Sequence, residues 1–233
     1  MGVQKLPVVL AFDIFGTVVN WYGSILSEIE KTLPGVDADA FTLAWRDGYA
    51  PALREVNASG EWVLLDELHR RILDSILLDF SQDSVPENTR EELTKHWHKL
   101  APWPDSVFGL TRLKQRFTVC SLSNGNIGLL TNMAKNANIP WDCILSAEVF
   151  KRYKPDPQTY LGVAKIFDVK PEQVMLVAAH QDDLDAAKAC GLQTAFIERP
   201  NEYGPVRGND VTGSVQNDWH AKDIVHLAEQ LEC

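Results

Sequence analysis

Short apolar runs recur along this chain, and polar or turn-forming residues follow each of them. The first run, Val-Val-Leu-Ala-Phe, ends at Phe12 and is followed by Asp13 and Gly16. An uninterrupted apolar run rich in β-branched and aromatic residues is typical of a strand buried on both faces, as in a parallel sheet. On this basis we predict strands over residues 8–12, 117–122, 143–145, 174–178 and 193–197.

Segments with helical patterns separate these runs in the second half of the chain. We predict helices over residues 106–114, 127–137, 157–167 and 184–190. Strands that alternate with helices of this length form βαβ units, in which the strands are parallel. The sequence therefore predicts an α/β fold with a Rossmann-like parallel sheet.

The stretch from residue 18 to residue 101 follows a different pattern, because it contains no convincing strand. Leu64, Leu68 and Ile72 recur at every fourth position and so lie on one face of a helix. The block ends at Pro102, and the helical patterns within it cover residues 38–56, 61–73 and 87–100. We therefore predict an inserted helical cap domain at 18–101 and an α/β core domain made of residues 1–17 and 102–233.

Composition and charge narrow the range of partners. The chain has 233 residues, which at about 150 residues per domain allows one large domain or two smaller ones. A hydrophobic fraction of 45% excludes an intrinsically disordered chain. The 22 basic and 32 acidic residues give a formal net charge of −10, which repels nucleic acid phosphates and anionic lipid, so we expect neither as a partner. An anionic substrate would need a locally positive pocket.

The cysteines and the length of the apolar runs bear on the cellular location. The four cysteines are scattered and form no Cys-x-x-Cys pair, which argues against a zinc site and a disulfide framework and fits a reducing compartment. No apolar run reaches the length of a signal-peptide core or of a membrane span. We therefore expect a cytoplasmic protein without a membrane partner.

Polar side chains follow several of the predicted strands. Asp13, Ser123 with Asn124, Lys154 and Asp183 each lie directly after a strand or in the loop that follows it. Ligands of open α/β sheets bind beyond the carboxyl ends of the strands, so we expect these groups to meet at one edge of the sheet. Taken singly, each has a plainer explanation: a turn at Asp13, a helix cap at Ser123, or a solvated loop lysine at Lys154.

The order of these residues resembles the haloacid dehalogenase (HAD) superfamily. The motifs that carry the resemblance lie at residues 13–17 (Asp-x-Phe-Gly-Thr), 123–125, 154–157 and 178–183. The resemblance implies the HAD fold, with a helical cap inserted after the first strand. It also implies that Asp13 is a covalent nucleophile, a role open to a carboxylate that is kept ionised.

Two positions within these motifs bear on metal binding. Phosphatases of the superfamily carry a second aspartate in the first motif and an acidic pair in the last, and these together hold Mg²⁺, which takes oxygen ligands. Here Phe15 replaces the second aspartate, and Ala179 stands where the leading acidic ligand belongs. We therefore expect no metal site and no cofactor.

Further residues resemble the L-2-haloacid dehalogenase branch, which works without a metal. Arg46 matches the arginine that this branch carries in its cap, and Tyr153 and Tyr160 accompany Lys154 as they do in its lysine segment. The resemblance implies metal-independent, hydrolytic dehalogenation of short 2-haloalkanoic acids through an aspartyl-ester intermediate. The partners would be the small anionic haloacid and the released halide. Members of the branch are often dimeric, so a homodimer is an expectation from the resemblance alone.

The resemblance suggests catalytic roles for five residues. Asp13 would displace halide from C2, and Lys154 would hold Asp13 ionised, because a nearby cation lowers a carboxyl pKa. Arg46 would receive the halide, and Asp183 would position or deprotonate the water that hydrolyses the ester. His180 replaces an amide of this branch three residues before Asp183, so we expect it to orient or activate water, with a purely structural histidine as the alternative.

A second group of residues is expected to bind the substrate. Ser123, Asn124 and the backbone amides of the helix that begins beside them would hold its carboxylate, as helix N-termini do. Thr17 and Tyr160 would orient reacting groups through hydrogen bonds. The aromatic residues expected around the alkyl and halogen groups, which are also common core residues, are Phe15 and Trp62.

Two other functions stay open at this stage. One is a HAD-type phosphatase or phosphonatase with an altered metal site, and the other is a non-catalytic protein that binds small anions. Phe15 and Ala179 weigh against the first, because hydrocarbon stands where it needs carboxylates. Asp13, Lys154 and Asp183 weigh against the second, because they form a catalytic set that simple binding does not need.

Overall fold

The computed structural model describes residues 5–233 and contains one sheet of six parallel strands. The strands are β1 (Val9–Phe12), β2 (Thr118–Ser123), β3 (Cys143–Ser146), β4 (Val174–Ala178), β5 (Gln193–Ile197) and β6 (Trp219–Ala221). Their order across the sheet is β3-β2-β1-β4-β5-β6, which is the doubly wound order of Rossmann-type sheets. The predicted fold class is confirmed.

A helical insertion, residues 18–101, separates β1 from β2 in the chain. Its helices are α1 (Trp21–Thr32), α2 (Ala38–Ser59), α3 (Leu65–Asp79) and α4 (Glu87–His96), followed by a 3₁₀ turn at Trp97–Lys99. Asn20 and Asp37 cap the first two helices, since their side chains accept hydrogen bonds from the first-turn amides of Gly23 and Ala40. The largest side chains buried among these helices are Trp21, Phe41, Trp45 and Trp97.

The chain enters and leaves the helical insertion at neighbouring points. The Asn20 N–H donates to the Ala101 carbonyl at 2.9 Å, and the Trp103 N–H donates to the Val18 carbonyl at 3.0 Å. Because the two crossing points are adjacent, the insertion fits between β1 and β2 without displacing either strand. The division into core and cap domains stays a prediction, and residues 1–4 of the predicted core lie outside the described residues.

Helices cover both faces of the sheet, because successive strand residues point to opposite sides. Leu10 and Phe12 of β1 pack in the cluster that contains α5, α6 and α11, whereas Val9 and Ala11 pack with α8 and α9. Within residues 5–233, no helix combines the length and the apolar character needed to cross a bilayer. The helices after β1 and the insertion are α5 (Ser106–Leu113), α6 (Ile127–Ala137), α7 (Ala147–Phe150), α8 (Pro157–Ile166), α9 (Gln181–Ala189), α10 (Gly204–Arg207) and α11 (Ile224–Gln230).

Some elements differ from the sequence-based assignment. Helix α3 begins at Leu65 rather than at residue 61, because Gly60 ends α2 with a φ of 74° and an extended segment follows it. Helix α9 begins at Gln181 rather than at residue 184, which places Asp183 in its first turn, where the helix dipole favours a negative charge. The elements that were not predicted are α1, α7, α10, β6 and α11.

Candidate active site

The register of the central strands brings the polar groups after them to one edge of the sheet. Phe12 at the end of β1 lies beside Ser121 of β2 and Val177 of β4. A cavity of about 480 Å³ opens at this edge, between the sheet and α2 of the helical insertion. The predicted site residues in its wall are Asp13, Phe15, Arg46, Asn124, Lys154, Tyr160, His180 and Asp183.

The two carboxylate oxygens of Asp13 have different partners. Oδ1 accepts a hydrogen bond from Lys154 Nζ at 2.9 Å. Oδ2 accepts one from Thr17 Oγ1 at 2.8 Å, and the Ala179 N–H orients that hydroxyl by donating to it at 2.9 Å. Burial alone would raise the pKa of Asp13, but the charges of Lys154 and His180 overcome it and hold the pKa well below its usual range. Asp13 is therefore ionised at neutral pH.

Lys154 lies between two acids. Its ammonium donates to Asp183 Oδ2 as well as to Asp13, and its side chain is only 7% exposed. Burial lowers the pKa of this lysine, but the two carboxylates outweigh burial and raise it. The backbone N–H of Lys154 donates to Asn124 Oδ1 at 2.8 Å, which ties the lysine loop to the loop after β2. Lys154 thus stays charged at neutral pH.

Asp183 is the second buried acid of the site. Its Oδ1 accepts a hydrogen bond from the Tyr160 hydroxyl at 2.6 Å, while Oδ2 contacts Lys154. Burial and the charge of Asp13 raise the pKa of Asp183, although Lys154 acts in the opposite direction. A carboxylate with a raised pKa binds a proton more readily than Asp13 does, which suits a general base.

Arg46 reaches the cavity from α2 and is held by aromatic rings. Its guanidinium carbon lies 4.4 Å from the ring centroid of Tyr49 and 5.3 Å from that of Trp21. Among the described residues Nη1 finds no hydrogen-bond partner, although it is shielded from solvent. A fixed cation with an unused N–H group in the wall of a cavity is suited to bind a small anion.

His180 lies between two carboxylates. Its Nδ1 is 3.2 Å from Asp13 Oδ2, and its Nε2 is 2.8 Å from Oε1 of Glu202. Burial lowers the pKa of His180, but the two carboxylates, Glu202 above all, raise it well above its usual value. Since both ring nitrogens face acceptors, the ring is an imidazolium and has no free lone pair to take a proton from water. Orientation, rather than proton abstraction, is the chemistry open to it.

The cavity wall lacks three of the expected binding residues, Thr17, Ser123 and Trp62. Ser123 is buried, and its Oγ accepts a hydrogen bond from the Gly125 N–H at 3.1 Å, so it shapes the loop that carries Asn124. Trp62 packs on Tyr153 with their ring centroids 4.5 Å apart, away from the cavity. The apolar wall is instead completed by Tyr49 and Leu53, which face the cavity beside Phe15.

The polar groups do not fit a divalent cation. The Phe15 ring packs edge-on against Tyr49 and Trp97, and the Lys154 ammonium fills the space between Asp13 and Asp183. No group of three or more His, Cys, Asp or Glu side chains with metal-ligand geometry occurs within residues 5–233. The donor set of this site is therefore unlike the all-oxygen surroundings that Mg²⁺ takes.

Three residues at the site were not predicted from the sequence, namely Glu202, Tyr49 and Tyr203. Glu202 is fully buried beside His180, and the two tyrosines line the cavity near Arg46. Tyr49 could have been found, because it follows Arg46 by three residues and therefore shares its helix face. No pattern marks Glu202 or Tyr203, which lie in an irregular segment after β5.

A family model and individual relatives of this chain point to the same protein family. Residues 8–191 match the family model of the haloacid dehalogenase-like hydrolases. The chain is 29% identical to (S)-2-haloacid dehalogenase 1 of Pseudomonas sp. (strain CBS-3), over 82% of this chain and 86% of that protein. It is 26% identical to haloacetate dehalogenase H-2 of Moraxella sp. (strain B), over 84% of this chain and 86% of that protein.

Solved structures agree with these relatives. The crystal structure of a defluorinating L-2-haloacid dehalogenase superposes with a TM-score of 0.92 at 45% identity and covers 98% of this chain and 96% of that one. A second L-2-haloacid dehalogenase superposes with a TM-score of 0.92 at 40% identity and covers 97% of this chain and 100% of that one. The similarity thus extends over nearly the whole length of both chains.

Proposed function

The chain belongs to the haloacid dehalogenase-like hydrolases, and on that premise we propose that it removes halide from short 2-haloalkanoic acids by hydrolysis. One observation carries this proposal: Asp13 is buried and hydrogen-bonded to the Lys154 ammonium in the wall of a cavity that also presents the Arg46 cation. A carboxylate held in this way is a nucleophile for carbon, and it needs no metal ion to stay charged.

In the first step, Oδ1 of Asp13 attacks C2 of the haloacid. Oδ2 already accepts from both Thr17 and His180, whereas Oδ1 has a single partner in Lys154 and so keeps a lone pair for the reaction. The new C–O bond forms as the carbon–halogen bond breaks, and the halide leaves with the bonding electron pair. Attack from the side opposite to the halogen inverts C2.

Cations around the cavity hold the anionic groups. Arg46 receives the halide, because its free Nη1–H and its charge both favour an anion. The Lys154 N–H fixes Oδ1 of Asn124, which leaves the Asn124 amide group to donate to the substrate carboxylate. Ser123 supports that loop from behind rather than touching the substrate.

In the second step, water hydrolyses the aspartyl ester. Asp183 takes a proton from the water, and Tyr160 and Lys154 fix the orientation of its carboxylate. Phe15 and Tyr49 provide an apolar wall around the alkyl group and the halogen. The helical insertion acts as the cap that limits entry of bulk water, because α2 supplies one side of the cavity.

Halide release without metal tests this proposal. We expect free halide from L-2-chloropropionate and from chloro-, bromo- and fluoroacetate in buffer with EDTA, measured by ion chromatography. The Asp13→Asn variant keeps the size of the side chain but lacks the charged nucleophile, so it should release no halide. Hydrolysis of p-nitrophenyl phosphate that requires Mg²⁺, with no halide from any haloacid, would instead support a phosphatase.

A further inference from the structure

Glu202 is a buried acid to which the proposed reaction assigns no role. It lies after β5, in the segment before α10, and its side chain is 0% exposed. Its carboxylate accepts hydrogen bonds from Trp21 Nε1 at 3.0 Å and from Asn209 Nδ2 at 2.9 Å, in addition to its contact with His180. A fully buried charge destabilises a protein unless it is paired, so the burial of Glu202 needs a physical reason.

The motif around the nucleophile is built to accommodate Glu202. Gly16 has a φ of +86°, and a Cβ at this position would overlap the Glu202 carboxylate. Glycine therefore allows the acid to approach the backbone of the loop that follows Asp13. Trp21, at the start of α1, donates to the same carboxylate and ties it to the helical insertion.

The imidazole of His180 joins Glu202 to the nucleophile. Nδ1 faces Asp13 Oδ2, and Nε2 faces both oxygens of Glu202, at 2.8 and 3.0 Å. Each ring nitrogen therefore carries a proton that it donates to a carboxylate. The two cavities that His180 lines also hold other charged groups, which are Arg46, Asp47, Arg54, Lys154, Asp182, Asp183, Arg207 and Asp210.

The charge of the ring matters differently in the two steps. During displacement, negative charge leaves Asp13, so a neighbouring cation stabilises the starting state and does not help the attack. During ester hydrolysis, negative charge develops on the carbonyl oxygen of the ester, which is Oδ2 if Oδ1 has been alkylated. A donor already aimed at that oxygen stabilises the transition state.

We propose that Glu202 is a positioning residue that keeps His180 protonated in the ester intermediate, so that the ring N–H and the Thr17 hydroxyl together bind the oxyanion on Asp13 Oδ2. This inference rests on the proposed dehalogenase function. Once Asp13 is esterified it carries no charge, and Glu202 is then the carboxylate that remains in contact with the ring.

Ester hydrolysis consumes one water molecule and conserves its protons and electrons. Water oxygen adds to the ester carbon of Asp13 and gives one proton to Asp183, while the carbonyl electron pair moves onto Oδ2. The electron pair on Oδ2 then forms the carbonyl bond again, and the bond from the ester carbon to Oδ1 breaks. The departing Oδ1 takes the proton from Asp183. The products are the 2-hydroxy acid and the Asp13 carboxyl group, which ionises and releases one proton to solvent.

The Glu202→Gln variant tests the proposal, because glutamine keeps the size and the acceptor oxygen but removes the charge. In a rapid-quench experiment with L-2-chloropropionate, we expect a halide burst of one equivalent at the rate of the unaltered protein. Slow turnover should follow, lower by about 10-fold or more, since a weakened oxyanion donor slows this step. Intact-protein mass spectrometry should then detect the accumulated ester.

The pH profile provides a readout that a merely structural role would not change. Without Glu202, the burial that lowers the pKa of His180 is no longer offset by a contacting carboxylate in the ester intermediate, so this pKa falls to the ordinary histidine value of about 6.5 or below. Hydrolysis by Glu202→Gln should therefore fall as the pH rises from about 6 to 8, a range in which the unaltered protein should show no such fall.

Two further variants keep the test decisive. Glu198→Gln is the matched control: Glu198 lies four residues earlier, pairs with His220 at 2.9 Å, and should leave turnover and ester level unchanged. Asn209→Ala removes one anchor of Glu202 and should accumulate ester to a smaller extent, which covers the case in which Glu202→Gln does not fold.

Three outcomes would overturn the inference. The first is a Glu202→Gln variant with unchanged turnover and pH profile. The second is a Glu202→Gln variant whose halide burst is slowed as much as its turnover. The third applies if Glu202→Gln does not fold, and it is an Asn209→Ala variant that accumulates no excess ester. Failure of the proposed function is distinguishable, because the unaltered protein would then release no halide at all.

Discussion

Asp13 and Lys154 form a pair in which each group keeps the other charged. The Nζ–Oδ1 distance is 2.9 Å, and neither side chain is more than 9% exposed. In such surroundings the loss of one charge leaves the other unpaired, and a carboxyl group without its cation takes up a proton. The charge that the proposed reaction needs on Asp13 therefore depends on the lysine as much as on the position of Asp13 after β1.

Replacement of Lys154 by glutamine tests this dependence. Asp13 and Asp183 would then face each other without a cation between them, and only His180 would still oppose protonation of Asp13, so the pair should bind a proton more readily. We expect halide release to fall by at least about 10²-fold, which single-turnover kinetics measures. Lys151→Gln is the control, because Lys151 lies over the Trp62 ring outside the cavity and its loss should leave the rate unchanged. A Lys154→Gln variant with normal turnover would remove the lysine from the mechanism.

His69 makes the stability of the protein sensitive to acid. The ring is fully buried and stacks on Trp97 with centroids 4.0 Å apart, and neither ring nitrogen has a hydrogen-bond partner among the described residues. Burial first, and then the charge of Arg46, lowers the pKa of His69 to about 3 from a usual value of 6.5. Below pH 6.5 the imidazole of His69 is protonated in the unfolded chain but stays neutral in the folded protein. The free energy of unfolding therefore falls as the pH drops from 6.5 to about 3.

The His69→Phe variant should lose this acid sensitivity while keeping a ring on Trp97. Between pH 6.5 and 5, the free energy of unfolding contributed by His69 should fall by about 1.7 kcal/mol in total, and the variant should lack this part. Urea unfolding at both pH values measures the difference. If both proteins lose the same free energy on acidification, His69 is not the source.

At the level of secondary structure, α2 carries the apolar and cationic half of the cavity. Arg46, Tyr49 and Leu53 lie on one face of this helix, three and four residues apart. Asn57, one turn further, accepts from the Tyr153 N–H at 3.0 Å and donates to the Tyr153 carbonyl at 2.9 Å. Since Lys154 follows Tyr153, one side chain fixes the distance between the helix and the lysine loop.

Asn57→Ala should therefore affect catalysis as well as stability. Loss of both hydrogen bonds should cost about 1–2 kcal/mol in unfolding free energy, and kcat should fall because Arg46 and Lys154 lose their relative positions. Asn136→Ala is the matched control: Asn136 also joins core and insertion, by donating to the Lys99 carbonyl, but it lies outside the cavity wall. Equal kinetic effects of the two variants would contradict a special role for Asn57.

The strands that could be predicted from the sequence are those whose residues are mostly buried, because burial produces a continuous apolar run. All four residues of β1 and all five of β4 are buried, and both strands were predicted from their apolar runs. Strand β6 has three residues, of which only Ala221 is buried, so no run marks it. The motif residues of the site could be assigned by resemblance, whereas Glu202 could not, because its burial depends on Trp21 and Gly16, far away in the chain.

For the whole molecule, one ion pair joins the parts of the core that support the site. Arg199, after β5, binds both oxygens of Asp105 at 2.9 and 2.7 Å, and its Nε donates to the Thr17 carbonyl at 2.9 Å. Asp105 also accepts from the N–H of Ile224, the first residue of α11. The pair thus links β5, the start of α5, the loop that carries Asp13 and Thr17, and helix α11.

Removal of one partner should destabilise the protein more than removal of both charges. The two side chains are 6% and 14% exposed, so Arg199→Met leaves a nearly buried, unpaired carboxylate and should cost about 3–5 kcal/mol. Adding Asp105→Asn removes that charge but keeps an acceptor for Ile224, so the double variant should regain part of the loss. Lys114→Met breaks a more exposed pair with Asp142 and should cost at most about 1 kcal/mol. Denaturant unfolding of the unaltered protein, Arg199→Met, Asp105→Asn and the double variant gives the coupling energy. A double variant less stable than Arg199→Met alone would show that the pair does not act through its charges.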